Sequence, residues 1–173
     1  MNIKFSSWFA RNQNHFLLAL LLSIVFVVVY VLSPNHAQQK VSNENAAQLD
    51  QLSRNLKNHF ESDYAGLNVK KAILEQLIPP GMLTATLNDV RNIWGTRVYI
   101  SPVTLQNKND AFKISYEEIP SYACIDISSN IPKGIIDFKI NNRSVVALDK
   151  IDVEYASNIC RRYERSNLEF IYQ

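Results

Sequence analysis

Glycine is scarce in this sequence: four in 173 residues, at Gly66, Gly81, Gly95 and Gly134. They stand too far apart to build the glycine-rich loop that cradles a phosphate, which excludes the common nucleotide-binding fingerprints. Only two cysteines occur, Cys124 and Cys160, and only three histidines, His15, His36 and His59. Neither set has metal-ligand spacing. A reactive thiol wants a base nearby, and the histidines all lie in or beside the N-terminal region, far in sequence from both cysteines. Charge of one sign is also missing. Lys4 and Arg11 precede the first acidic residue, and setting them aside leaves 16 cations against 16 anions from Pro34 onward. That balance gives no electrostatic footprint for nucleic acid and no polybasic patch for anionic lipid.

Two charge clusters invite a functional reading. Glu117 and Glu118 are adjacent, but neighbours on a strand point to opposite faces, so a solvated edge is expected rather than a shared carboxylate site. Arg161, Arg162 and Arg165 form a basic knot behind Cys160. It reads as a solvated helix end, with a charged contact to another subunit as the alternative. Nothing supports an enzyme, and neither a cofactor nor a metal is expected.

What the chain does have is one long apolar run, Phe16 to Leu32, FLLALLLSIVFVVVYVL. It carries no charge, and Ser23 is its only clearly polar member. At about 1.5 Å per residue, as a helix, it is just long enough for a hydrocarbon core of roughly 30 Å. With no polar stripe it does not suit a helix on the surface of a soluble domain. The expectation is a transmembrane helix over 16–33 behind a cytoplasmic tail, 1–15. A cleaved signal is the alternative, but Ser33-Pro34-Asn35-His36-Ala37 offers a poor small-x-small site. Lys4 and Arg11 before the run, against Lys40 after it, favour the N-terminus inside. Trp8 and Phe9 suit a membrane interface or an unstructured tail.

Beyond Pro34, which can kink or stop the helix, Leu49, Leu52, Leu56 and Phe60 recur at spacings of three and four. They predict an amphipathic helix over 34–62, periodic from about Gln38, with its stripe turned to the downstream domain or, alternatively, to a coiled-coil partner. Tyr64-Ala65-Gly66-Leu67 breaks it. Asn68 can cap a second helix, VKKAILEQL, with Val69, Ile73, Leu74 and Leu77 inward, ended by Pro79-Pro80-Gly81. Alternation predicts strands at 96–101, 112–116, 135–140, 144–148 and 168–172, with helices from Pro120 and over 151–163. This order argues α+β with a mainly antiparallel sheet. About 140 residues follow the apolar run, enough for one domain, 63–173. In an oxidising compartment Cys124 and Cys160 can pair, closing a loop of about 36 residues worth about 3–4 kcal/mol. Two buried free thiols, or one reactive cysteine, are the alternatives.

Residues 48–130 then resemble the globular domain of type IVb pilins, notably those of plasmid thin pili and enterobacterial colonisation pili. The shared order runs through QLDQLSRNLKNHF, the turn Tyr64 to Leu67, the turn Pro79-Pro80-Gly81-Met82, and Asn92-Ile93-Trp94-Gly95 leading into TRVYIS. It continues through FKISY and the helix start Pro120 to Cys124, and closes with Cys160, Ser166-Asn167 and LEFIYQ. The resemblance implies an N-terminal helix packed on the sheet through Leu49, Leu52, Leu56 and Phe60, in a pilin-like roll. It implies a Cys124–Cys160 bridge, and Trp94 and Gly95 as a family turn. It also implies a bacterial inner-membrane protein, single-pass, with its C-terminal domain in the periplasm or at the cell surface. Its partners would be the membrane and other pilin-like subunits or pilus assembly proteins. The family's precursors are cut after a glycine, ahead of a glutamate at the fifth mature position. Here no glycine precedes Gly66, and Leu20 stands where that glutamate would lie. An uncleaved anchor is therefore expected, in an assembly, secretion or conjugation component, with a filament subunit or a periplasmic adaptor as alternatives.

Overall fold

The computed structural model describes residues 4–31, 34–147 and 150–173, with side chains for 17–30, 39–147 and 150–173. The chain divides into two compact units, Met1–Lys40 and Val41–Gln173.

In the first unit, α1 spans Lys4–Val31 and so includes most of the stretch read from sequence as a tail. Trp8 and Phe9 have side chains outside the described ones. Every described side chain from Leu17 to Tyr30 is exposed. The Ser23 hydroxyl donates to the Leu20 carbonyl at 2.8 Å, so its polarity is satisfied within the helix. Among the described residues no helix is long and apolar enough to cross a membrane. Leu32 and Ser33, which end the predicted span, lie outside the described residues.

α2, Pro34–Phe60, opens on proline, whose missing N–H costs nothing at a helix start. From Val41 it belongs to the second unit. Its interior has no glycine, proline or β-branched run, and Asp50 and Arg54 pair across one turn. Leu49, Leu52 and Leu56 are fully buried. The buried face is longer than the leucine stripe, since Ser42, Asn45 and Ser53 are buried on it too. Tethers to other elements fix the helix. Asn55 Nδ2 donates to the Leu77 carbonyl at 2.7 Å, and Asn130 Nδ2 donates to Ser42 Oγ at 3.0 Å.

α3 spans Val69–Leu74, and the Asn68 side chain caps it by accepting from the Lys71 N–H at 2.9 Å. It is shorter than its apolar spacing predicts, and Leu74, expected inward, is 70% exposed. Ala72 takes the buried place instead. Gln76 adopts a left-handed conformation (φ 56°) and turns the chain, so that Leu77 folds back on the Ala72 carbonyl. Periodicity cannot see a helix stop that no glycine or proline marks.

The strands are β1 Val98–Val103, β2 Ala111–Pro120, β3 Ile135–Ile140, β4 Arg143–Ser144, β5 Val146–Ala147, β6 Lys150–Ile151 and β7 Arg165–Tyr172. Five form one antiparallel sheet in the order β1-β2-β7-β3-β4. The last strand in sequence is thus central, between β2 and β3. β5 and β6 pair separately, so the single strand predicted over 144–148 is divided around Val145, whose N–H donates to the Phe138 carbonyl at 2.9 Å. Asn141 and Asn142, both at positive φ, make the β3–β4 turn. β2 carries a bulge between Tyr116 and Ile119, with Glu118 at φ 57°. The bulge exposes both Glu117 and Glu118, so the two do not alternate across the sheet as a regular strand requires. Glu118 instead lies 3.9 Å from Arg165.

Under α2 the sheet presents a layer of aromatic rings. Phe112 stacks on Tyr172 at 5.2 Å, Phe138 on Phe170 at 5.0 Å, and Tyr116 meets Phe170 edge-on at 5.1 Å. The loop before β2 folds around Asp110, whose carboxylate accepts N–H bonds from Leu105, Gln106 and Asn107. Those bonds, chiefly from Asn107, hold its carboxyl below the usual range.

Tyr116 is fully buried, and among the described groups its hydroxyl has no hydrogen-bond partner. Burial pushes its ionisation well above the ordinary tyrosine value. A buried unpaired hydroxyl costs about 1–3 kcal/mol, so Tyr116→Phe should hold or raise the melting temperature. In the wild type, a phenol raised in the folded state contributes stability below pH about 10 and loses it as pH rises further. The alkaline limb of a melting-versus-pH curve should therefore be flatter in Tyr116→Phe.

Candidate functional site

No group of histidine, cysteine or carboxylate side chains able to hold a metal occurs among the described residues. The residues singled out from sequence are placed instead as parts of a scaffold that presents surfaces.

α4, Ser121–Ser129, starts after Pro120, whose φ of −59° suits a helix entry. α5, Val153–Arg162, starts on Asp152, which accepts from the Tyr155 N–H at 2.9 Å. Cys124 on α4 and Cys160 on α5 are joined by a disulfide, both fully buried, with Cα atoms 5.7 Å apart. This agrees with the pairing that the family resemblance implies. Polar bonds surround the bridge. Ser121 Oγ donates to the Cys160 carbonyl at 2.9 Å, and Ser128 Oγ donates to the Cys124 carbonyl at 2.7 Å. Arg161, Arg162 and Arg165 are exposed beside it, with Arg161 and Arg162 in the last turn of α5, where cations favour the helix dipole.

Leu49, Leu52 and Leu56 share one core with Phe112, Tyr172 and Phe170, while Phe60 packs at its margin, half-buried. Phe60 lies 6.0 Å from the Tyr64 ring and under Lys71, whose Nζ is 4.8 Å from the ring centre.

Trp94 and Gly95 sit in a separate turn. The Asn92 side-chain oxygen accepts from the Trp94 and Thr96 N–H groups at 3.1 Å each, and its Nδ2 donates to Thr96 Oγ1 at 2.8 Å. Trp94 packs half-buried on the core. Gly95 is left-handed, φ +75°, with open space where a Cβ would stand, so only backbone conformation opposes a side chain there. Gly95→Ala should therefore cost about 1–2 kcal/mol, read as a lowered urea midpoint with unchanged slope. The core on which Trp94 packs takes in the α2 leucines and both cysteines as well.

Sequence reading missed one surface feature. A cleft of about 390 Å³ opens between the Ile131–Ile136 stretch and the β5–β6 hairpin, with Lys133 and Lys150 in its lining. The available signal was a Pro132-Lys133-Gly134 turn set among isoleucines.

The helix α2 packed on an antiparallel sheet, with α4 and α5 joined by a disulfide, is a type IV pilin-like fold. A family model described as PilS N terminal matches residues 36–172, and the chain belongs to this family. Among solved structures it is similar to the type IVb pilin of Salmonella typhi, at 21% identity and TM-score 0.57, covering 76% of this chain and 99% of that one. It is also similar to TcpA, a type IV pilin of Vibrio cholerae El Tor biotype, at 11% identity and TM-score 0.56, covering 78% and 99%. At these identities the likeness is one of fold. No curated protein sequence matches the chain significantly.

Proposed function

We propose that this protein is a membrane-held pilin-like component of a type IVb pilus assembly, or of a related secretion or conjugation apparatus, acting through protein–protein contacts. The observation that carries the reading is the pairing of a pilin-family domain with an apolar helix exposed from Leu17 to Tyr30. Such a surface is too large to leave in water and needs lipid or other apolar helices around it. In this reading residues 16–33 anchor the chain in the inner membrane with the N-terminus inside and the folded domain in the periplasm. A disulfide suits that oxidising compartment. Leu20, at the place where the family's filament subunits carry a glutamate, weighs for an assembly role over the filament shaft.

Fractionation tests both parts. The protein should stay with inner membranes through a carbonate wash and be absent from sheared fibres. Recovery in the carbonate supernatant would remove the anchor. Abundance in the sheared fibres would make the chain a filament subunit, the second reading, in which neighbouring copies cover α1.

A further inference from the structure

The cleft beside β3 carries features that the anchoring reading leaves unused. Ile131, Ile135, Ile136, Val146 and Ile151 are among the residues that line it. These side chains are only partly buried, and Ile136 is 42% exposed. At about 390 Å³ the cleft falls in the range of ligand-sized sites, roughly 300–1,000 Å³.

Among the described residues its charge is of one sign. Lys133 and Lys150 line it, and Lys57 Nζ lies 3.9 Å from where a side chain on Gly134 would begin. Among the described residues none of these lysines has an ion-pair partner. Lys57 rests over the Tyr172 ring at 5.6 Å. Asp137, the adjoining acid on β3, is turned to Lys139 at 3.7 Å and accepts from Ser144 Oγ at 2.6 Å. Among the described residues the cleft lining holds no carboxylate.

The edge of the sheet adds a third feature. β3 pairs with β4 only at Lys139 and Ile140, and the Phe138 carbonyl accepts from the Val145 N–H, so on that side only the short stretch from Ile135 to Asp137, which is bulged against β7, lacks a strand partner in the five-stranded sheet. An unpaired edge accepts an extended segment through backbone hydrogen bonds, while a neighbouring pocket takes alternate side chains.

From the aliphatic lining residues, the lysines that have no ion-pair partner among the described residues and the short unpaired stretch of β3, we infer that this cleft docks an extended acidic segment of a partner protein. Aliphatic side chains of the segment enter the cleft, and its Asp or Glu residues meet Lys133 and Lys150. A cleft lined by lysines as well as isoleucines suits a peptide better than a lipid tail, which needs an enclosed apolar wall. The inference does not rest on membrane anchoring or on the chain's place in an assembly.

The test uses the full chain in neutral-lipid nanodiscs and two fluorescent peptides, one alternating glutamate with valine and one alternating lysine with valine. The glutamate peptide should bind and the lysine peptide should not. Lys133→Glu combined with Lys150→Glu should weaken the glutamate peptide about tenfold or more and turn the preference to the lysine peptide. Lys108→Glu, an exposed lysine outside the cleft, should leave binding unchanged, and the thermal transition should be the same in all variants. The inference is overturned if both peptides bind alike, if neither binds, or if the double variant keeps its preference for glutamate. Binding of dodecanoate without binding of the peptide would also overturn it, by making the cleft a site for a small amphiphile.

Discussion

Leu56→Asp should destabilise the folded domain by several kcal/mol, out of the roughly 5–15 kcal/mol that a domain has. Leu56 is fully buried on α2, in one core with Leu49, Leu52 and the aromatic rings of β2 and β7. A carboxylate there loses its hydration and gains no dedicated partner. It must either protonate, at the cost of a strongly raised pKa, or pull α2 off the sheet. Melting of a fragment from Val41 onward, followed beside its sedimentation, separates this from a coiled-coil role. If α2 served only self-association, the variant would lose the oligomer and keep its melting transition. An unchanged transition would mean that α2 does not close this core.

Breaking the Cys124–Cys160 bridge should cost about 2–5 kcal/mol, the range that loss of a native disulfide costs in small secreted domains. The two cysteines are 36 residues apart in sequence, and that loop holds β3, β4 and the β5–β6 pair. Without the bridge the unfolded chain regains the freedom of that loop. Cys160→Ser should show the loss as a lower denaturant midpoint. Both sulfurs are fully buried, so a reductant should act on the native protein only as fast as the structure opens. Two free thiols by mass spectrometry under non-reducing conditions would contradict the pairing.

The two predictions differ in how far their grounds could be read before the fold was known. The spacing of Leu49, Leu52 and Leu56 places them on one face of a helix, whatever that face meets. Cysteine count and compartment allow Cys124 and Cys160 to pair, but reactive or free thiols fit the same residues. Only the approach of α4 to α5 joins them. The stop of α3 before Leu77 was illegible because Gln76 carries it, in a conformation that side-chain chemistry does not announce. The bulge at Glu118 was hidden for a related reason. Alternation assumes a regular strand, and the register shift arises in the pairing of β2 with β7.

By itself the sequence determined those features that depend on neighbours along the chain. They are the apolar run of α1, the amphipathic stripe of α2, the Asn68 cap, the Asn141-Asn142 turn, and strands whose residues alternate with a period of two. Tertiary structure alone decided which strands are neighbours, why the last one is central, and how little of β3 is paired with β4. It also set Lys133 and Lys150 in the lining of one cleft. Helix and turn signals are local because their hydrogen bonds span only a few residues. Strand order and surface clefts form from contacts between segments tens of residues apart, where chain entropy, side-chain packing and register compete and no short motif records the outcome.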